Sequence, residues 1–271
     1  MLKELDFTGE RVIPGKTPNV LYQEHISRYT FASQFTNNKT VLDVACGTGY
    51  GDWQMLKKGN AKKIMGIDIS KEAINYAIDR YKDEKISFVR ADAVDLPVSD
   101  GYFDVVVSFE TIEHLEEPRR FLSECKRVLK NGGLFICSSP NKKIYSPYSK
   151  KPLNPFHVME FYPEQFFTLL NEYFSHVDLY GQCNINLFKK TVFRYGRKLF
   201  SIIPNGDNVK NKIKNLMLSR KSLAGENDIE SQGENSEETI DGNCKVSKFI
   251  NNQITTPTYI IAVARKNEKE I

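Results

Sequence analysis

Along the first two-thirds of the chain, short β-branched and apolar runs alternate with longer stretches in which apolar residues recur at helical spacing. The short runs predict strands over 40–45, 63–68, 86–90, 103–109 and 134–139. The longer stretches predict helices over 52–58, 71–81 and 118–129. Ser70 is placed to cap the second of these helices, and Pro118 sits in the first turn of the third, which glycines follow. Strand, helix, strand at this spacing makes a parallel sheet covered on both faces. Ligands of such sheets lie beyond the carboxyl ends of the strands.

The rhythm then loosens. Pro163 opens a helix to 170, a strand follows over 174–180, and the last strand pattern, "TYIIAVARK", comes only at 258–266. The intervening segment of about seventy residues is too long for a structureless loop inside a domain, so it is expected to be an insertion. The expected organisation is an N-terminal lid or cap helix (1–36), a core (37–183 and 257–271) and the insertion (184–256). Residues 186–200 place Phe188, Val192, Tyr195 and Leu199 on one helical face with Lys and Arg elsewhere, whereas "AGENDIESQGENSEETIDGN" is acidic and nearly devoid of apolar residues. The first pattern reads as a basic helix docked on its parent domain or facing phosphate, the second as a mobile loop.

The turn "VLDVACGTGYG" raises the question of which ligand it holds. A dinucleotide fingerprint fails, because Asp52 stands where its third glycine belongs, and the Gly-Lys-Ser/Thr ending of a P-loop is absent. Asp43 before the turn and Asp52 after it would repel a pyrophosphate. A ligand with an ammonium and a sulfonium suits them better, which makes S-adenosylmethionine (SAM) the candidate; the alternative is an ordinary glycine turn.

With 271 residues, 40% of them hydrophobic, and a net charge of only +4, the chain can bury a sizeable core and is not a dedicated nucleic-acid binder. "MLKELDFTGER" lacks an apolar core and no apolar run is long enough to span a bilayer, so neither export nor a membrane span is expected. The five cysteines show no Cys-x-x-Cys spacing, which argues against a metal cluster or disulfide framework and for a reducing cytoplasm. Cys46, inside the turn, reads as a packing residue.

Asp68 closes "IMGIDIS" nineteen residues after Gly49, the distance at which a carboxylate meets the ribose hydroxyls of an adenosine bound over the first turn. "VRADAVDLP" brings Asp92 to the end of the third strand, and "VVVSFETIEH" brings Phe109, Glu110 and His114 to the end of the fourth. With "LDVACGTGYG", "GIDIS", "RADAVDLPVSDGYFDVVVSFETIEHL" and "FLSECKRVLKNGGLFICSSPN" in hand, residues 40–141 resemble the class I SAM-dependent methyltransferases, and "YIIAVARK" resembles their final antiparallel strand. The resemblance implies a Rossmann-like fold: a mostly parallel, seven-stranded sheet with helices on both faces and an antiparallel last strand. It implies SAM as cofactor and S-adenosylhomocysteine as product. The methionine amino group would meet the turn near Ala45, Asp68 would hold the ribose, and Asp92 with Ala93 would read the adenine. Asp43, Gly47, Gly49, Ile69 and Phe109 complete the cofactor set. Ala45 departs from the family, where glycine is frequent.

"TGERVIPG", "YQEHISRYTFA" and "NPFHVMEFYPEQF" are similar to methyltransferases of bacterial glycan and nucleotide-sugar pathways. That resemblance implies a lid helix over the cofactor, an acceptor pocket built from Tyr22, His25, Arg28, Glu110, His157 and Tyr162, a small and potentially phosphate-bearing acceptor, and association with glycan-pathway enzymes. The alternative for 22–28 is a helix whose polar face meets solvent. Methyl transfer is a direct displacement, so alignment dominates and a base is useful for a hydroxyl or ammonium acceptor. His114 and His157 are the candidate bases, with His25 behind them; no metal is expected. The rival readings are an RNA or protein methyltransferase and a non-catalytic SAM-binding partner.

Overall fold

The computed structural model describes residues 5, 11–183, 246–248 and 256–268. The expected basic helix over 186–200 and the acidic loop after it lie outside the described residues. Helix α1 (Asn19–Ser33) precedes strand β1 (Thr40–Val44), helix α2 (Tyr50–Lys57), β2 (Lys63–Asp68), α3 (Lys71–Arg80), β3 (Ile86–Arg90) and β4 (Phe103–Ser108). A 3-10 turn (Ile112–His114), α4 (Pro118–Val128), β5 (Leu129–Pro140), the short α5 (Lys142–Tyr145), α6 (Pro163–Asn171), β6 (His176–Gln182), β7 (Val246–Lys248) and β8 (Tyr259–Arg265) follow.

Among the described residues the strands form one sheet in the order β3-β2-β1-β4-β5-β8-β6-β7. β1 to β5 run parallel, and β8 pairs antiparallel with both β5 and β6. The expected seven strands are present, and an eighth joins them: Val246–Lys248 pairs with β6 through Tyr180 to Gln182. Three residues with only one apolar side chain carry no strand signal, and the partner strand lies far away in sequence.

Alternation along the strands divides the core. On one face Leu42, Val44, Val106 and Phe135 pack with Phe121 and Leu122 of α4 and Phe166 and Leu170 of α6. On the other, Val41, Val105, Val107 and Ile136 meet Tyr29 and Phe31 of α1 and Met55 and Leu56 of α2. Each such buried side chain contributes about 1.5–3 kcal/mol.

Of the boundaries that differ from the sequence expectation, two have a local backbone cause. α2 begins at Tyr50, because Gly49 takes φ 79° and turns the chain into the helix at once. β5 begins at Leu129, because the stretch containing Gly132 at φ 73° is absorbed as an irregularity in the β4–β5 register and does not break the strand.

Gly51 is fixed by packing. A Cβ there would stand 2.1 Å from Cζ of Tyr29, whose hydroxyl is tied to Asp43 at 2.9 Å. Gly51→Ala is therefore expected to cost about 1–3 kcal/mol by overpacking the α1–α2 contact. A denaturant midpoint equal to wild type would show that Tyr29 yields freely.

Candidate functional site

The first turn is built from left-handed backbone. Ala45, Gly47 and Gly49 have φ of 62°, 57° and 79°. Glycine adopts this region freely, whereas alanine holds it at about 1–2 kcal/mol. Gly49 also leaves no room for a side chain, since a Cβ would lie 2.8 Å from Ala77 and Phe88. Cys46 is buried, and burial followed by Asp52 and Asp43 pushes its thiol pKa well up, which suits packing and not nucleophilic chemistry.

Asp68 ends β2 with its carboxylate already oriented: Oδ2 accepts from the backbone N–H of Gly47 (2.9 Å) and Oδ1 from that of Ser70 (2.8 Å). Ser70 caps α3 as its sequence suggested, its Oγ accepting from Ala73 N at 3.3 Å. Asp92 is exposed beyond β3 and accepts from Val94 N at 3.1 Å. Ala45, Asp68, Ile69, Asp92, Ala93, Glu110 and His114, all singled out from the sequence, line one cleft at the carboxyl ends of β1 to β4. Ile67, Ala91, Thr111 and Leu115 complete its wall and escaped the sequence reading, because apolar residues at strand ends look like core. Ile69 is 62% exposed, a large apolar side chain at the rim of a cleft.

Asp43 does not line the cleft. It is wholly buried with Asp52 beneath the turn, Oδ2 receiving the Tyr29 hydroxyl at 2.9 Å. Burial raises both carboxyl pKa values, and the neighbouring Asp43 charge raises that of Asp52 further, which favours a proton kept by the pair. A free aspartate titrates near about 3.9, so above that pH the folded chain holds more protons than the unfolded one and its stability falls as pH rises. The pair's contribution is complete below the unfolded value and is lost through the raised folded value. Asp52→Asn, which supplies a permanent donor to Asp43, is expected to flatten that decline. Unfolding curves at pH 5 and pH 8.5 that stay parallel for wild type and variant would count against a shared proton.

On the other side of the cleft, Glu110 follows β4 with φ 52°, a left-handed non-glycine residue. Ser138 of β5 fixes it: the Glu110 N–H donates to Ser138 Oγ (3.2 Å), which donates to Glu110 Oε1 (2.7 Å). The 3-10 turn then presents His114, whose Nδ1 lies 2.9 Å from the carbonyl oxygen of Phe156. His157 stands beside it, ring centroids 4.9 Å apart at 83°. His157 Nδ1 is 3.0 Å from Glu160 Oε1 and its Nε2 is 2.8 Å from Asn154 Nδ2. Glu160 also accepts from Ser146 Oγ. The two histidines meet because Val158 and Met159 donate their N–H groups to the carbonyl of Glu113 at 2.8 and 3.1 Å.

The polar face of α1 does not meet solvent. Glu24 and Arg28 are 1% and 0% exposed. Arg28 Nη1 donates to Gln182 Oε1 at 2.7 Å, and its guanidinium carbon lies 4.3 Å above the Tyr259 ring. Tyr145 donates to Tyr259 (2.6 Å), which donates to Glu24 Oε2 (3.0 Å). His25 Nδ1 contacts the Tyr50 hydroxyl at 3.1 Å; burial and then the Arg28 charge hold its pKa well below the usual value, which keeps it neutral. Tyr22 packs on Tyr50, and Phe109 is buried against Tyr29. Tyr162 starts α6 with Lys142 Nζ 5.7 Å above its ring. None of Tyr22, His25, Arg28, Phe109 or Tyr162 lines the cleft that holds Asp68 and Asp92.

Residues 42–137 match the family model of a methyltransferase domain. That span covers the glycine turn, Asp68, Asp92, Glu110 and His114. Residues 42–137 therefore form a methyltransferase domain. A probable S-adenosylmethionine-dependent methyltransferase of Mycolicibacterium smegmatis is 37% identical to the chain over 157 residues, 58% of this chain and 60% of that protein. The phthiotriol/phenolphthiotriol dimycocerosates methyltransferase of Mycobacterium tuberculosis is 35% identical over 124 residues, 44% and 46% of the respective chains. The chain thus spans about 60% of the length of the first curated relatives it matches. In structure, the domain is similar to a SAM-dependent methyltransferase of Thermotoga maritima described as a possible histamine N-methyltransferase, with a TM-score of 0.58, 14% identity and 92% of each chain covered. At that identity the match shows a shared Rossmann-like fold. Among the described residues, no helix is long and apolar enough to cross a membrane.

Proposed function

We propose that this methyltransferase moves the methyl group of SAM to an oxygen or nitrogen of a small polar acceptor, of the kind found among sugars, nucleotide-linked sugars and related glycan precursors. The observation that carries the reading is the joint placement of Asp68, Asp92, Glu110 and His114 on one cleft at the ends of successive strands. Asp68 would accept from the two ribose hydroxyls and Asp92 from the adenine amine, with Ile69 and Leu115 against the flat faces of the base and sugar. Ala45, Gly47 and Gly49 would carry the methionyl tail over the turn, above the buried Asp43 and Asp52. The residues fit the cofactor: two oriented carboxylates, an exposed apolar rim and a side-chain-free turn occur together.

The transfer is a displacement at carbon. The acceptor's lone pair attacks the methyl group, the carbon–sulfur bond breaks, and its electron pair remains on sulfur in S-adenosylhomocysteine. Alignment is the main requirement, with effective molarities of about 10⁵–10⁸ M available from it. A hydroxyl acceptor also loses a proton, and His114 at the cleft wall is the group placed to receive it, with His157 next to it. The polar acceptor is supported by the side of the site that α1 covers. Two donors of the buried Arg28, Nε and Nη2, have no hydrogen-bond partner among the described residues, and an anionic group such as phosphate or carboxylate would satisfy them if α1 shifts to admit it, since Arg28 does not line the cleft as it stands. The expected helix lid and the 184–256 insertion belong to the same proposal, as the elements that set acceptor choice.

The test follows S-adenosylhomocysteine release across a panel of nucleotide-linked sugars, free sugars and small amines. Turnover confined to phosphate-bearing sugars supports the reading. Turnover only with RNA or a protein substrate, or binding of SAM with no turnover on any class, would overturn it.

A further inference from the structure

We propose that Glu113, His114 and His157 form a binding site for a divalent transition-metal cation, Mn²⁺ or a close relative, in the wall of the cleft on the side assigned to the acceptor. The inference deepens the methyl-transfer reading and rests on it for the ion's purpose, but the binding itself stands on geometry. One ligand atom from each of the three residues lies within 4.8 Å of the others. Around an ion with ligand distances of about 2.1 Å, tetrahedral neighbours are roughly 3.4 Å apart, so modest side-chain rotation closes the set.

The surroundings have the arrangement that metal-binding imidazoles need. Histidine ligands are oriented by a hydrogen bond from their second ring nitrogen to a carbonyl or carboxylate. Both forms occur here: His114 Nδ1 is 2.9 Å from the Phe156 carbonyl oxygen, and His157 Nδ1 is 3.0 Å from Glu160 Oε1. That contact fixes the proton on Nδ1 in the neutral ring and leaves the lone pair on Nε2. Asn154 Nδ2 lies 2.8 Å from His157 Nε2, so coordination through that nitrogen exchanges one bond for another. The backbone of Val158 and Met159 clamps the loop carrying His157 onto the turn carrying Glu113, which holds the three side chains together before any ion arrives.

The donor set decides the kind of ion. Two imidazoles and one carboxylate suit Mn²⁺, Fe²⁺, Co²⁺ or Zn²⁺ in preference to Ca²⁺ or Mg²⁺, which favour oxygen-only shells. Three protein ligands leave coordination positions open, and His114, the one of the three that lines the cleft, would put the ion within reach of an acceptor bound there. An acceptor hydroxyl bound to the Lewis-acidic ion would lose its proton to solvent more readily, so the ion would take over the base role given to His114 in the metal-free site. The acceptor class this favours is a hydroxylated compound with a second oxygen close enough to chelate. An amine acceptor would gain nothing from the ion.

Mn²⁺ is the probe, titrated by calorimetry into the full chain after dialysis against a chelator, with S-adenosylhomocysteine titrated separately. About one ion per chain is expected to bind. Glu113→Gln and His157→Asn should each weaken it by at least about tenfold, and Glu160→Gln by about 10–100-fold through loss of the orienting bond. Should a variant fail to fold, the wild-type chain alone decides: Mn²⁺ is expected to broaden the imidazole NMR signals of His114 and His157 before that of His176. Absence of stoichiometric binding by the wild-type chain, broadening that spares His114 and His157, or equal affinity in folded variants would overturn the site. S-adenosylhomocysteine binding without Mn²⁺ binding would sink the metal site alone, whereas Mn²⁺ binding without S-adenosylhomocysteine binding would sink the methyl-transfer reading and leave the site standing.

Discussion

Arg28→Ala is expected to destabilise the fold by about 3–5 kcal/mol, the range found when one member of a buried charged cluster is removed. The side chain is wholly covered. Burial works against its charge, yet Glu110, followed by Tyr259 and Glu24, raises its pKa above the ordinary value, so the guanidinium stays ionised. Truncation would strip Gln182 Oε1 of its donor and Tyr259 of the cation on its face, and would leave the Glu24 carboxylate 1% exposed without that positive neighbour. The cluster joins α1 to β6 and β8, so the loss should appear as a lower denaturant midpoint for the whole domain. Arg28→Lys keeps the charge but not the planar fork, and an intermediate loss is expected. A change below about 1 kcal/mol for alanine would mean that Arg28 is held for ligand recognition and contributes little to the fold.

Asp68→Ala is expected to weaken S-adenosylhomocysteine by about 1.5–3 kcal/mol, roughly 10- to 150-fold, because a charged acceptor for the ribose hydroxyls is removed. The carboxylate is oriented by Gly47 and Ser70, so little of its binding energy goes into ordering it. The N–H groups it leaves behind sit at a partly exposed strand end, where water can replace it, and stability should change far less than affinity. Calorimetry on the variant and wild type separates the two. Unchanged affinity, or preference for a nicotinamide dinucleotide over SAM, would remove Asp68 from the cofactor site.

Much of the cleft at the strand ends was legible because its signals are local. A left-handed glycine turn after a β-branched run, a carboxylate at the end of the next strand and another at the end of the third all fall within a short stretch of chain, and repeating βα units bring strand ends together by construction. The surroundings of α1 and of the two histidines were less legible. His25 and Arg28 read as acceptor-pocket residues with a solvent-facing helix as the alternative, since charged residues at helical spacing look alike whether water, a ligand or Gln182 receives them. His157 lies far from His114 in sequence, and nothing in either motif announces that two backbone N–H groups will close the loop onto the Glu113 carbonyl. Glu113 was passed over altogether, hidden between two residues that the strand-end argument had already chosen.

Apolar periodicity by itself determined the parallel sheet, and spacing along the chain put Asp68 and Asp92 at the strand ends where the cleft lies. These follow from backbone periodicity and local sterics, which act over a few residues. Tertiary structure alone decided that Asp43 and Asp52 are buried together with raised pKa values, that Arg28 is ionised in the interior, that Val246–Lys248 extends the sheet, and that Glu113, His114 and His157 converge. Each of these depends on how much water a polar group keeps and on which distant group stands within a few ångströms of it. Neither quantity exists until the helices have packed on the sheet.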